Sequence, residues 1–265
     1  MRLLALVLLG CFLATEPGVA EEHHPVAAIK KEIRRYGRDF KSMTLAPIHW
    51  DRASWTHFGE GVAAVAIVYA ADRPLADAVQ ANRSHFSDQF SQVITPFGGR
   101  RAENISALMI VAGAWMGDDR LRDAGRDSLE SELWAGGVVT PLLKRSFGRA
   151  RPIQEEGASS FHPFSISYAS FPSGHATNAF AFATAVASHY DGWVVPTLVY
   201  SVASGVAISR VNDRAHFVSD VLAGAMIGRA VAKGVVHRQH GAPVSWTLTP
   251  SWSNGTTSVM IHIRG

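Results

Sequence analysis

Three short polar clusters lie between Lys144 and Asp220. Lys144 is followed, after six residues, by Arg151-Pro152; Pro172-Ser173-Gly174-His175 forms the second cluster. The third is Ser209-Arg210, five residues, His216, three residues and Asp220. Lys144, Arg151 and Arg210 are cations able to converge on one anion, arginine as a planar bidentate fork and lysine as a point charge. A helix starting at Ser173-Gly174-His175 would aim free backbone N–H groups at the same anion, and Gly174 would let the backbone come close. If residues 215–236 are helical, His216 and Asp220 share a face about 6 Å apart along the axis. The carboxylate could then hold one imidazole nitrogen and leave the other free to attack, with His175 as the acid. Three cations, two histidines and one aspartate suit phosphoryl transfer.

The elements that must position these groups read as helices. Asp51 to Trp55 caps a helix running through Phe58–Ala71, Arg73-Pro74 starts a short one, and Ser87 caps another that Pro96 and Gly98-Gly99 close. Ile105–Met116 is strongly apolar, and Asp118–Leu133 carries Leu121, Ala124, Leu129 and Leu133 as a buried stripe. Pro141 is expected to kink the approach to Lys144. Residues 146–171 form one long loop, a length that usually accompanies function. Helices follow over 174–189, 193–209 and 215–236. The uncharged runs 105–117, 176–190 and 193–209 each fall short of the roughly 20 residues that span a bilayer, so they are expected as buried helices of a soluble bundle. Asn254-Gly255, between Trp246, Leu248, Trp252 and Val259, Ile261, Ile263, marks a candidate β-hairpin.

Composition bounds the function. The 265 residues are 47% apolar and 18% charged, enough to build a core, and the net charge of +3 is scattered, which argues against nucleic acid. Residues 1–20 read as an export signal (Arg2, the apolar run Leu3–Leu13, then Gly18-Val19-Ala20), with Cys11 as a candidate lipidation site. Val26, Ile29, Ile33, Tyr36 and Phe40 line an amphipathic helix whose other side is basic. The domain plan is therefore a signal over 1–20, a helical domain over 21–240 and a tail over 241–265. Outside the clusters no histidine has metal-ligand spacing. His162 is a candidate for lining the site, and Arg149 and Asp213 are expected in salt bridges.

Lys-x6-Arg-Pro, Pro-Ser-Gly-His and Ser-Arg-x5-His-x3-Asp resemble the signature motifs of the type 2 phosphatidic acid phosphatase superfamily. That superfamily includes the bacterial class A acid phosphatases and the vanadium-dependent haloperoxidases. All eleven motif residues are present in order, with 19 residues between Pro152 and Pro172 and 33 between His175 and Ser209. The resemblance covers about residues 100–235 and implies an all-α bundle of the acid phosphatase/vanadium haloperoxidase type. It also implies hydrolysis of phosphomonoesters without a cofactor or metal. His216 would be the nucleophile forming a phosphohistidine, Asp220 would orient it and His175 would serve as acid and base. Lys144, Arg151, Ser173, Gly174 and Arg210 would bind phosphate, and vanadate would inhibit there. His216 should be neutral and His175 charged, giving a bell-shaped rate profile at mildly acidic to neutral pH. The substrate is then a phosphorylated small molecule or a lipid phosphate, with peripheral membrane contact open and no oligomeric state indicated. The leading expectation is an exported, periplasmic phosphatase. A membrane-associated or lipid-anchored lipid phosphate or isoprenyl diphosphate phosphatase is the alternative, and a vanadate-dependent haloperoxidase a third. Haloperoxidases are usually much longer, and Ala169-Ser170-Phe171 and Ala176 depart from the class A pattern of Gly-Ser-Tyr before the second motif and threonine after it.

Overall fold

The structure, a computed structural model, describes residues 46–240, 245–253 and 256–264. The expected export signal, Cys11 and the amphipathic helix around Val26–Phe40 lie outside the described residues. A short 3-10 turn, Ala46–His49, leads into α1 (Arg52–Ala70), capped by the Asp51 carboxylate, which accepts the Ser54 N–H at 2.8 Å. Helix α2 (Asp72–Ala81) follows directly, then α3 (His85–Ile94). The cap of α3 is Ser84 and not Ser87: the two serines bond reciprocally, because the chain turns helical one residue after Ser84. Beyond a 3-10 turn, Thr95–Gly98, come α4 (Arg100–Met116) and α5 (Asp119–Trp134).

The helix that carries Pro141 does not run as regular α-helix from α5 to Lys144. The backbone widens instead into a π turn over Ala135–Val139, and Pro141 falls in the first turn of α6 (Thr140–Phe147), where its missing N–H costs little. The π turn makes room for a neighbour: a Cβ on Gly136 would sit 1.7 Å from the Asn178 side-chain oxygen. A loop containing one 3-10 turn (Pro152–Gln154) joins α6 to α7 (Gly174–Ala187), and α8 (Val194–Asn212) and α9 (Val218–His240) complete the helices. Strands β1 (Ser245–Ser253) and β2 (Thr256–Arg264) pair antiparallel from Ser245↔Arg264 to Ser253↔Thr256, in the register that Asn254-Gly255 predicts.

Helix α7 is the hub, packed against α9, α8 and α5. It can be central because it is built from small residues: Ala176, Ala179, Ala181, Ala183 and Ala185 are all buried. The contact with α9 is closest at two glycines. A Cβ on Gly224 would lie 2.5 Å from the Ser173 carbonyl oxygen, and one on Gly228 would lie 2.2 Å from that of Thr177. Only hydrogen fits at either position.

Two expectations about burial are corrected. On α5, Ala124 and Leu129 are buried as the stripe predicts, but Leu121 and Leu133 are only partly so. The second half of the helix instead buries Asp127, Ser128, Glu130, Ser131 and Glu132, because α4, α7 and α9 surround it. Local bonds satisfy several of these groups: the Ser128 and Ser131 hydroxyls donate to carbonyls one turn back, Ser106 donates to Glu132 at 3.0 Å, and His189 pairs with Asp127 at 2.9 Å. Helix α8 runs to Asn212, three residues beyond the expected end, and only 28% of its most apolar stretch is buried. By length and composition α8 could cross a membrane; it is the one described helix that could.

Candidate active site

The clusters meet where α6, α7 and α8 present their site ends to the start of α9. Lys144 occupies the last turn of α6 and donates to the carbonyls of Ala169 and Ser170. A Cβ on Gly174 would stand 3.9 Å from its Cε, an ordinary contact, so the lysine lies alongside the start of α7. Burial, and then the charge of Arg151, push the Lys144 ammonium down from 10.5 to about 8. Arg151 holds its backbone in place through Gln154, which accepts its N–H at 2.7 Å. Its guanidinium has no bonding partner among the described residues, yet its charge is felt at Lys144, His175, Arg210 and His216. Arg210, at the end of α8, donates through Nη1 to Asp213 (2.9 Å) and Thr95 (3.2 Å), while its buried Nε has no partner. Two forks therefore retain donors for an incoming anion.

His175 is the second residue of α7. The Gly98-Gly99 turn lies against it, since a Cβ on Gly98 would meet its carbonyl oxygen at 2.6 Å and one on Gly99 would stand 3.7 Å from its Nε2. Burial, then Arg210, Lys144 and Arg151, push this imidazole down from 6.5 to about 4. The expectation of a charged His175 therefore does not hold in this structure, because three cations face it in a desolvated place. Ser173 is fully buried: its hydroxyl caps α7 by accepting the Ala176 N–H at 3.5 Å, and its own N–H donates to the Asp220 carbonyl at 2.9 Å. The first-turn N–H groups of Gly174 and His175 are the amides left to face an anion.

His216 is not on the helix with Asp220. It sits in the turn before α9, buried, with its N–H donating to the Arg210 carbonyl at 3.2 Å. The two side chains still meet, because the chain folds back over the first turn of α9: Nδ1 lies 3.8 Å from an Asp220 carboxylate oxygen and 3.5 Å from the Ser170 hydroxyl. Burial pushes His216 down to about 4 despite Asp220, with Lys144 and Arg151 adding to the effect. Burial alone would raise the Asp220 carboxyl. His216, Arg149 and Ser170 together hold it below its usual range. That carboxylate accepts from Arg149 Nη1 (2.6 Å), the Ser170 hydroxyl (2.6 Å) and the Phe217 N–H (2.9 Å).

With the three clusters around one locus, comparison with known proteins shows what this part of the chain resembles. Residues 131–242 match the PAP2 superfamily model. Over this segment, less than half of the chain, the sequence is similar to the PAP2 superfamily. Curated relatives include the Lipid A 1-phosphatases of Rhizobium etli and Rhizobium johnstonii, each 37% identical over 123 residues, or 42% of this chain. Those matches cover 52% and 50% of the relatives, so the chain spans about half the length of the curated relatives it matches. The crystal structure of a transmembrane PAP2 type phosphatidylglycerolphosphate phosphatase from Bacillus subtilis shares the fold. Its TM-score is 0.51 at 24% identity, covering 68% of this chain and 94% of that one.

The PAP2 motifs do not name every residue that shapes this site. Ser170 orients Asp220, Gly98 supports His175, and Arg149, expected only in a salt bridge, is bonded to Asp220 itself. Ser170 and Arg149 each stand within two residues of a motif, the only signal available; Gly98 had none. Asp213 pairs with Arg210 as expected. His162 turns away into a bond with Glu156 at 2.9 Å and stacks on Tyr168, so it binds the loop together and does not line the site.

Proposed function

We propose that this chain is a membrane-associated lipid phosphate phosphatase acting through a phosphohistidine on His216. One observation carries the chemistry: a buried, neutral imidazole beside a carboxylate, within electrostatic reach of unengaged arginine donors. Nδ1 of His216 faces Asp220 and Ser170, which leaves Nε2 to attack phosphorus. Lys144, Arg151, Arg210 and the amides of Gly174 and His175 would hold the non-bridging oxygens as charge moves in the transition state. A bound phosphate ester brings negative charge that offsets those cations and raises His175, so the acid gains its proton when substrate is present. His175 then protonates the leaving oxygen and next takes a proton from the water that hydrolyses the phosphohistidine. The balanced result is an alcohol and inorganic phosphate.

Two features favour lipid over free small-molecule substrates. The matched segment is similar to Lipid A 1-phosphatases, enzymes named for a phosphate carried on a lipid. Large apolar side chains also stand exposed on three helices: Phe58, Val62 and Ile67 on α1, Leu108, Val111 and Trp115 on α4, and Val194, Leu198 and Val202 on α8. Exposed apolar area of that extent marks a contact surface, and an acyl-chain environment fits it. Export of the chain across the inner membrane is part of the same reading.

The test is a panel of lipid A, phosphatidate, an isoprenyl diphosphate, p-nitrophenyl phosphate and nucleotides, assayed on detergent-solubilised protein. Lipid phosphates in mixed micelles should be cleaved fastest, EDTA should leave the rate unchanged, vanadate should inhibit, and His216→Ala should abolish turnover. Faster cleavage of soluble esters would return the chain to the broad-specificity reading. Loss of activity on chelation, restored by a divalent ion, would refute metal independence.

A further inference from the structure

The most thoroughly bonded side chain among the described residues is one that touches no substrate position. Arg149 is fully buried, and all five of its guanidinium N–H groups find acceptors. Nε and Nη2 donate to the Ala158 carbonyl (3.0 and 2.7 Å), Nη2 also to Asp72 (2.8 Å), and Nη1 to the Ser219 hydroxyl (2.8 Å) and Asp220 (2.6 Å). Phe217, Tyr69 and Phe161 wall it in, their ring centres 4.4, 4.8 and 5.6 Å from Cζ. Asp72, also fully buried, opens α2, and it accepts the Ser219 N–H at 2.9 Å as well as the Ser219 hydroxyl. Two buried carboxylates therefore share one buried cation, and one of the two is the partner of His216.

The charge count has a consequence. Asp72, Arg149 and Asp220 sum to one negative charge, which the imidazole of His216 faces. If Asp72 were neutral, Arg149 would answer Asp220 alone, and the pair would present no net charge to the ring. We propose that Asp72 and Arg149 are positioning residues: they hold Asp220 in place and leave it a net negative charge toward His216, which stabilises the ring when it becomes cationic on phosphorylation. The remaining charges facing His216 are Lys144 from α6 and Arg151 from the loop, both positive, so Asp220 supplies its only anionic neighbour among the described residues. This inference rests on the reading of His216 as nucleophile.

The test compares the detergent-solubilised full chain with Asp72→Asn and Arg149→Lys. Asp72→Asn keeps shape and removes charge; Arg149→Lys keeps charge but replaces the fork with a point that cannot bridge both carboxylates. Each should lower kcat on p-nitrophenyl phosphate by about 10- to 100-fold, with KM and the vanadate inhibition constant within about twofold of wild type. In Asp72→Asn the His216 ring, followed by the NMR shift of its Cε1 proton, should titrate about one pH unit lower. A folded Asp72→Asn protein with wild-type kcat and an unmoved His216 titration overturns the inference. So does a kcat loss matched by an equal rise in the vanadate constant, which signals general collapse of the site. If neither variant folds, the pair is structural and the positioning role is wrong. If wild type cleaves no phosphate ester while the His216 titration still moves in Asp72→Asn, the network stands and the phosphatase reading falls.

Discussion

Lys144 should set the alkaline edge of activity. Its ammonium titrates at about 8 in the folded protein against an ordinary 10.5, because it is buried and faces Arg151. If the cation is needed to bind the phosphate, kcat/KM, which reports the free enzyme, should bend downward near pH 8 and by pH 9 lose about a further tenfold relative to Lys144→Arg. The substrate adds no titration there, since a phosphate monoester loses its second proton near 6. Stability should move the opposite way. A lysine depressed in the folded state costs stability while charged, and the cost is relieved as pH rises from about 8 to 10.5 and the folded protein releases the proton first. The gap from 10.5 to about 8 corresponds to about 3 kcal/mol over that window. The assay is kcat/KM for p-nitrophenyl phosphate from pH 6 to 10, paired with urea unfolding across the same range, on wild type and Lys144→Arg. Arginine stays charged, so its alkaline edge should disappear even if its overall level is lower. An edge that persists near pH 8 in Lys144→Arg belongs to another group and refutes the reasoning.

Two further predictions concern the scaffold. Burial raises the Glu132 carboxyl well above its usual range, with Glu103 adding to the effect and the Ser106 hydroxyl opposing it. The folded protein thus keeps a proton that the unfolded chain loses above about pH 4.5, and stability falls as pH rises from there until the buried carboxyl itself ionises. Glu132→Gln should remove that slope and be more stable at pH 7 by about 1 kcal/mol or more; urea unfolding at pH 5 and pH 7 checks it, and an unchanged slope counts against it. Gly228→Ala would drive a methyl into the Thr177 carbonyl. It should cost about 1–3 kcal/mol in unfolding free energy, and a thermal scan showing wild-type stability would mean the helices are not so closely crossed.

The motifs were legible in the sequence because they are short and their chemistry is carried by residue type. Lys144, Arg151, His175, Arg210, His216 and Asp220 come together as their types implied. Helix periodicity found the helices but misjudged faces where it had to assume a two-sided environment. Helix α5 lies between three neighbours, so its serines and carboxylates are buried along with Ala124 and Leu129. Four-residue spacing predicts a helix-face contact between His216 and Asp220; the structure reaches that contact through a turn, which the same spacing also permits. Asp72 could not have been found: it stands 77 positions from Arg149, and nothing in Ala71-Asp72-Arg73-Pro74 distinguishes it from an ordinary helix start.

The scaffold and the site are joined by backbone more than by side chains. Gly224 lets α9 rest on the Ser173 carbonyl, and from that same residue the N–H reaches the carbonyl of Asp220 at 2.9 Å. The start of α7, carrying His175, and the start of α9, carrying Asp220, are thereby fixed to one another by main-chain contacts. The long loop reports to the same place: Ser170 donates to the Asp220 carboxylate, and the Ser170 N–H donates to the Arg149 carbonyl at 2.9 Å. Catalytic groups must be held within a fraction of an ångström to be useful. A fold that draws its helices together at glycines can impose that tolerance on residues lying 45 positions apart.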